Sequence, residues 1–482
     1  MSAPVVQSLG RRDSWDGVRA VVIGLGVSGF AAADNLVHLG AHVTVLAESV
    51  SQDQREKATL LEILGAEVRA GQGSTESLPE QLDLLVTSPG VPPTAPPVRA
   101  AYARGVPVWG EVELAWRLRD PDHLAPWLAV TGTNGKTTTV QMLHTILRAR
   151  GLRSVACGNV GLPLVEAVMD PTPYDVLAVE LSSFQLHYTS SMAAESAAVL
   201  NVAEDHLDWY SSMQEYAADK GRIYEGVQRA CVYNVADPVT EQLVRDADVQ
   251  EGARAIGFTL DVPAVGMLGV VDGVLADRAF VEERQHSAAE LCTVADLASD
   301  APHFVANALA AAALARAHGV STAAVRDGLR SFTPDGHRIA HVRTVAEVRY
   351  VDDSKATNPH AAMSSLMAYD PVVWIAGGLA KGASFDDLVR AVRDRLRGVV
   401  LLGRDRDVIA DALARHAPDV PVIEVGDGET SVMDRVVGAA ADLARPGDTV
   451  LLAPGCASMD MFANYGARGD AFAESVNRLQ EG

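Results

Sequence analysis

Residues 129–139 read AVTGTNGKTTT, an apolar run feeding a glycine loop that closes on a lysine and a row of hydroxyl side chains. That order of residue types suits a triphosphate. Backbone amides from Gly132, Thr133, Asn134 and Gly135 through Thr138 would cradle phosphates, Lys136 would reach the outer ones, and Thr137 would offer a hydroxyl to Mg2+. Val130 stands where the standard P-loop has its first glycine, so the loop is a variant of that design. Another cradle, GLGVSG, the first along the chain with the lysine loop the second, matches GxGxxG through Gly24, Gly26 and Gly29. It follows an apolar run and opens a helical pattern, whose unpaired amides favour a diphosphate. Glu48 ends the next apolar run, about where a ribose-binding acid sits in a nicotinamide enzyme. A dinucleotide and a nucleotide-sugar both present a diphosphate, and the motif does not choose between them.

Three more polar residues accompany the second of these loops. Glu180 ends YDVLAVE and His206 follows AAVLNV in EDHLDWY, both at strand ends that open onto a ligand crevice. Lys220, in ADKGRIY, lies in a helical pattern and by default reads as a solvated surface lysine.

The elements that must hold these groups form three successive α/β domains, at 1–122, 123–334 and 335–482. In the first, strands VRAVVIG, HVTVLAE and LDLLVTSPG alternate with helices, predicting a Rossmann-like domain that ends in the linker DPDHLAP. In the second, a P-loop-type ATPase domain, Val140, Leu143, Ile146 and Leu147 recur at helical spacing behind the lysine loop. Between about 228 and 300 the pattern predicts short strands beside the main sheet, and HFVANALAAAALARAHG predicts a long helix closed by glycine. The third repeats the rhythm with RYVDDS, PVVWIAGG, GVVLLG, VPVIEVG and TVLLAPG, again Rossmann-like.

A chain of 482 residues exceeds what one core organises, and 48% hydrophobic with 21% charged residues is the composition of a globular enzyme. No apolar run approaches the ~20 residues of a membrane span, and the first residues carry no secretory pattern. Membrane insertion is therefore not expected, and the cytoplasm is the expected address. With 62 acidic against 40 basic residues, the net charge of -22 disfavours nucleic acid. Cys157, Cys231, Cys292 and Cys456 lie far apart, arguing against a zinc site or a disulfide framework.

GTNGKTTT, ELSSFQL, NVAEDHLDWY, ADKGRIY, HFVANALAA, DDSKATNPHAA and APGCASMDMFANYGARGDAF together resemble the Mur ligase family, with matches running from Gly24 to Phe472. ELSSFQL and DSKATN point to its D-glutamate-adding branch. The resemblance implies an ATP-dependent ligase that adds D-glutamate to UDP-N-acetylmuramoyl-L-alanine through an acyl phosphate; a monomer is expected, since nothing in the sequence reads as an exposed coiled-coil seam. The two cradles would then serve two phosphorylated substrates. Gly26, Val27, Ser28, Ser88, Pro89, Gly90, Asn159, Ser182 and His206 would meet the nucleotide-sugar. Asn307, Arg338 and Asp353 would join the lysine loop around ATP, with closure of the third domain completing the site. Thr357, Lys381, Ser458 and Tyr465 would receive the amino acid, with Lys355 and Lys136 among the catalytic residues. Thr137, Glu180, His206 and Lys220 would serve two Mg2+ ions, Lys220 as a carbamate. Where some relatives place an acid and an arginine around uridine, this chain has Ala47-Glu48-Ser49. Ligation of L-glutamate or another Mur ligase reaction are the near alternatives. A folylpolyglutamate synthase would lack the first domain, a nicotinamide oxidoreductase would leave NGKT unexplained, and a regulatory ATP-binding protein would leave Glu180, His206 and Lys220 without a role.

Overall fold

Parallel strands buried on both faces are written as near-continuous apolar runs, and this chain folds almost every such run into one of three sheets. The computed structural model describes residues 6–205, 209–334, 336–426 and 432–480. Two compact units divide it: Met1–Val202 with Gln214–Leu297 and Val305–Phe332, and Ala203–Met213 with Ala298–Phe304 and Thr333–Gly482.

The first unit holds two sheets. Strands β1 (Arg19–Ile23), β2 (His42–Ala47), β3 (Glu67–Ala70), β4 (Leu84–Thr87) and β5 (Val108–Gly110) form an all-parallel sheet of order β3-β2-β1-β4-β5. The strand order reverses between β1 and β4, which is where a doubly wound sheet opens a ligand crevice. The glycine loop leaves β1 and Ser88–Gly90 leaves β4, so both expected nucleotide-sugar segments flank that point.

The second sheet comprises β6 (Trp127–Thr131), β7 (Ser154–Gly158), β8 (Val176–Glu180), β9 (Ser196–Val199), β10 (Ala230–Asn234), β11 (Arg254–Phe258), β12 (Met267–Val271), β13 (Val274–Asp277) and β14 (Ala289–Thr293). Its order is β14-β13-β12-β11-β10-β9-β6-β8-β7. The strands after 228, expected beside the main sheet, instead continue it. β10 and β11 join in parallel, and β12 to β14 finish the edge as an antiparallel meander. β6 lies between β8 and β9, which brings the lysine loop between the ends that carry Glu180 and Asn201.

One apolar core runs through both sheets, from Val22 and Leu36 to Leu177 and Val199. The helix Glu111–Arg117 adds a polar seam inside this unit. Glu111 accepts from Val165 N at 2.6 Å, at the start of the helix Leu164–Met169. Glu113 accepts from the amides of Ser190 and Ser191 at 2.8 and 2.9 Å and pairs with Arg117 at 2.7 Å.

The second unit carries β15 (Ala340–Val345), β16 (Val348–Asp352), β17 (Val372–Gly377), β18 (Leu396–Leu402), β19 (Val422–Glu424) and β20 (Thr449–Leu452), in the order β15-β16-β20-β17-β18-β19. β15, absent from the sequence reading, pairs antiparallel at the edge; its alternation of half-buried and exposed residues gives no apolar run to read. The other pairings are parallel. Among the described residues no helix is long and apolar enough to cross a membrane, and all four cysteines are free and buried.

Candidate functional site

In the first cradle, glycine is required by close approach. A Cβ on Gly29 would lie 2.2 Å from the carbonyl oxygen of Gly24, whose own φ is +93°. Ser88 donates its hydroxyl to Ile23 O at 2.7 Å, fastening the β4 loop to the glycine loop. Gly26 caps the helix Val27–His38 with open space where a side chain would be, and Val27 is exposed. Glu48 does not serve as a free ribose acceptor. Its carboxylate takes the amides of Gly73 and Thr75, each at 2.9 Å, and the Thr75 hydroxyl, and these bonds hold it below the usual carboxylate range.

The second cradle is tighter. Val130 is a buried strand residue of β6, so the turn begins later, at Gly132 (φ +155°), and closes at Gly135 (φ +85°), which opens the helix Lys136–Ala149. Asn307 rests against that turn: a Cβ on Gly135 would come within 2.4 Å of its Oδ1. Lys136 donates to the carbonyls of Gly132 and Thr133, both at 2.8 Å. Thr137 and Thr138 are buried at the start of the helix.

Lys220 departs from the default reading of a helical lysine. Rather than a surface lysine, it is 1% exposed, donates to Gly132 O at 3.0 Å and lies 4.3 Å from the Tyr216 ring centre. Tyr216 in turn meets the Thr133 hydroxyl at 3.1 Å. Two lysines therefore share one carbonyl of the phosphate loop.

Glu180 is buried at the end of β8. Its Oε1 accepts from Asn159 Nδ2 at 2.9 Å, while Oε2 has no hydrogen-bond partner among the described residues. A buried, unpartnered carboxylate oxygen invites a cation. Mg2+ usually takes one or two carboxylates together with phosphate oxygens and water, so Glu180 and Thr137 fit that ion. Gly158 brings Asn159 here: with φ +108°, its missing Cβ would sit 2.2 Å from Glu180 O. Ser182 caps the helix Ser183–His187 in a reciprocal box with Gln185, which occupies its hydroxyl within the turn. His206 lies outside the described residues.

Asn201 escaped the sequence reading. Its Oδ1 accepts from Asn134 N at 2.8 Å, its Nδ2 donates to Asn134 O at 3.1 Å, and its carbonyl takes Thr133 N at 3.0 Å, clamping the loop to the end of β9. It opens NVAEDHLDWY, five residues before the histidine, and an amide at a strand end carries no signal of its own.

In the second unit the amino-acid residues gather at the strand ends. Thr357 and Lys381 line one concavity with Glu204, Asp205 and Asn358. Lys381 has φ +51°, an uncommon backbone state for a side-chain-bearing residue. The loops after β17 and β20 are tied by paired bonds between Leu379 and Ala457, at 2.8 and 3.0 Å, next to buried Ser458. The ammonium of Lys355 stands 3.8 Å from the Tyr465 ring centre. Asp353 is buried, which pushes its carboxyl up to about 7 although the Ser365 hydroxyl and Arg338 pull it down. His303, half-buried, is lowered to about 4 by desolvation and by the nearby charge of Arg338. Arg468, also missed, is 1% exposed and binds Ser354 Oγ and O, both at 2.9 Å, and Cys456 O at 3.1 Å.

Known proteins match along nearly the whole chain. Residues 18–110 match the Mur ligase MurD-like N-terminal domain, 130–315 the Mur ligase middle domain and 337–456 the Mur ligase glutamate ligase domain. The UDP-N-acetylmuramoylalanine–D-glutamate ligase of Streptomyces avermitilis is 62% identical over 97% of this chain and 99% of its own length. That of Thermobifida fusca is 54% identical over 96% of this chain and 99% of its own. Among solved structures, the UDP-N-acetylmuramate-alanine ligase of Thermotoga maritima gives a TM-score of 0.55 at 18% identity, covering 95% of this chain and 99% of that one. A pseudomurein peptide ligase of Methanothermus fervidus gives 0.57 at 16% identity, covering 96% and 100%. At such identities the structures speak for the fold. Taken with the sequence matches and their span, they establish that the chain belongs to the Mur ligase family.

Proposed function

We propose that the chain is an ATP-dependent ligase joining D-glutamate to the alanyl carboxylate of UDP-N-acetylmuramoyl-L-alanine, in the cytoplasmic synthesis of peptidoglycan precursors. The observation that carries this is identity of 62%, over 97% of the chain, to a ligase of that name. ATP and Mg2+ are its cofactors.

An alanyl carboxylate has no adequate leaving group for an amine to displace. One of its oxygens attacks the γ-phosphorus of ATP, ADP leaves, and an acyl phosphate results. The neutral amine of glutamate then adds to the acyl carbon, and the tetrahedral intermediate collapses by expelling phosphate as the nitrogen gives up its proton. Charge management dominates such a reaction. Lys136 neutralises the outer phosphates, and the amides of residues 135–138 hold the chain of phosphates in line, since Asn201 takes those of Thr133 and Asn134; Asn307 lies against the turn. When bound, Mg2+ draws negative charge from the phosphate oxygens; Thr137 and Glu180 are proposed to hold it, with His206 and Lys220 serving a second ion. Asn159 and Ser182 position the muramoyl end, and Gly26–Ser28 with Ser88–Gly90 bind the uridine diphosphate. Thr357, Lys381, Ser458 and Tyr465 receive glutamate, with Lys381 matched to its side-chain carboxylate. Lys355, Arg338 and Asp353 keep the catalytic, phosphate and ribose roles that the resemblance gives them.

Lys220 is proposed to carry a carbamate. Its neutral amine adds to carbon dioxide and releases a proton, so a cation beside Lys136 becomes an anion able to face Mg2+. The burial of Lys220 and its shared carbonyl with Lys136 support this.

Phosphate release is the test, with ATP, Mg2+ and UDP-N-acetylmuramoyl-L-alanine, and with D-glutamate, L-glutamate, L-alanine or diaminopimelate offered in parallel. Release with D-glutamate alone is expected. Release with L-glutamate instead overturns the substrate assignment, and none with any amino acid overturns the reaction.

A further inference from the structure

The first unit holds a cavity that none of this chemistry uses, at the N-terminal ends of β6 and β8, lined among others by Arg11, Arg119, Trp127 and Tyr174. β6 runs from Trp127 to Thr131 before the lysine loop begins, so about 13 Å of strand separates the cavity from the phosphate cradle. We infer that this cavity binds a small oxyanion, a carboxylate or a phosphate monoester.

Two independent observations point to a negative ligand. The first is Arg119. Its guanidinium is stacked 3.2 Å from the Trp116 ring centre and spends only Nε on the protein, donating to Trp116 O at 2.9 Å. Among the described residues it has no carboxylate partner, and burial lowers it to about 10, which leaves it charged at neutral pH. A half-buried guanidinium with both terminal nitrogens unengaged is a fork lacking its anion. The second is Trp127, 1% exposed, whose indole N–H has no hydrogen-bond partner among the described residues. Trp127 packs edge-on against the Trp116 ring, centroids 4.9 Å apart, so the same ring that Arg119 covers also backs this side of the cavity.

The acids near the cavity do not fill this need. Asp120 accepts from Arg12 at 2.9 Å and from Asp122 N at 3.1 Å. Asp170 accepts from Thr172 N at 2.8 Å and from the Tyr174 hydroxyl at 3.2 Å, with Arg153 beside it. Arg11 is turned to Val168 O at 2.9 Å. Each carboxylate is thus held by its own donors, and Arg119 is left over. The enclosed volume, about 60 Å3, admits a head group and little more. The rest of a larger ligand would lie in the open mouth, against aromatic edges.

Calorimetric titration of the full chain with benzoate, acetate and methyl phosphate tests this, with melting temperature as a second readout. Saturable one-to-one binding is expected, weakened at least about tenfold in Arg119→Gln, a loss of about 1.4 kcal/mol, and unchanged in Lys136→Ala. Benzoate or acetate binding best marks a carboxylate site, and methyl phosphate best a phosphate site. Ala125→Glu, which sets a carboxylate among the lining residues, is expected to abolish binding without loss of thermal stability, keeping the test independent of how Arg119→Gln folds. Equal binding in wild type and Arg119→Gln, loss in Lys136→Ala instead, or no saturation with any probe overturns the inference.

Discussion

Replacing Arg468 by methionine tests how the second unit holds its strand-end loops. The guanidinium is buried and donates three well-formed bonds, two to Ser354 and one to Cys456; a fourth, to Gly377 O at 3.5 Å, is marginal. Burial lowers it to about 10, so it remains a cation. Methionine keeps the apolar stem and removes the charge. Three charge-assisted bonds at ~1.5–3 kcal/mol each would total more than 4 kcal/mol, but relief of a desolvated charge offsets part of it. A net loss of about 3 kcal/mol is expected, which for a unit of this size lowers its melting temperature by about 6–12 °C.

The same change has a kinetic consequence. Ser354 precedes Lys355, and Cys456 lies two residues before Ser458, so Arg468 positions residues proposed to receive the amino acid. In phosphate-release assays the KM for D-glutamate is expected to rise about tenfold, with the KM for ATP within about twofold of wild type. Arg468→Lys should behave similarly, because one ammonium cannot span both loops in place of a planar fork. A variant melting within about 2 °C of wild type, with glutamate KM unchanged, would refute the reasoning.

Asn201→Ala removes both side-chain bonds to Asn134 and should raise the KM for ATP about tenfold at ~0.7 kcal/mol per bond, while binding of the nucleotide-sugar, followed by calorimetry, stays the same. Glu111 is buried and raised to about 7, so the folded state takes up its proton more readily than the unfolded chain; the stability it contributes is full below about 4.5 and is lost as pH rises through 7. Glu111→Gln should therefore gain on wild type between pH 5 and pH 8, by at most about 3 kcal/mol, in paired thermal melts. Lys220→Ala should be inactive and partly rescued by short carboxylates, and the wild type grown on labelled bicarbonate should show a carbamate carbon resonance that Lys220→Ala lacks.

The strands and the strand-end motifs were legible because a buried parallel strand is an apolar run and its polar successor stands out. NGKT, Glu180, DSKATN and the alternation of sheets and helices all announce themselves this way. β15 did not, since an edge strand with one wetted face offers no such run. Lys220 was legible only through the resemblance: nothing in ADKGRIY itself shows that Gly132, 88 residues earlier, lies against it. Glu48 likewise finds its partners 25 and 27 residues on, in a loop with no pattern of its own.

What the sequence conceals is therefore the support of each site. The groups that face ligand stand next to strand ends, where the chain must expose them. The groups that fix the loops reach across from elsewhere: Asn201 spans 67 residues to Asn134, and Arg468 spans 114 to Ser354. Each uses a side chain to satisfy backbone groups that a glycine-rich or irregular loop leaves unpaired. That requirement follows from the loops themselves, since a glycine-rich turn leaves amides it cannot pair internally, and Asn201 takes those of Thr133 and Asn134. A loop with fewer internal bonds needs more external ones, so sites of this design should lose activity through supporting residues such as Asn201 and Arg468 while the ligand-facing residues stay intact.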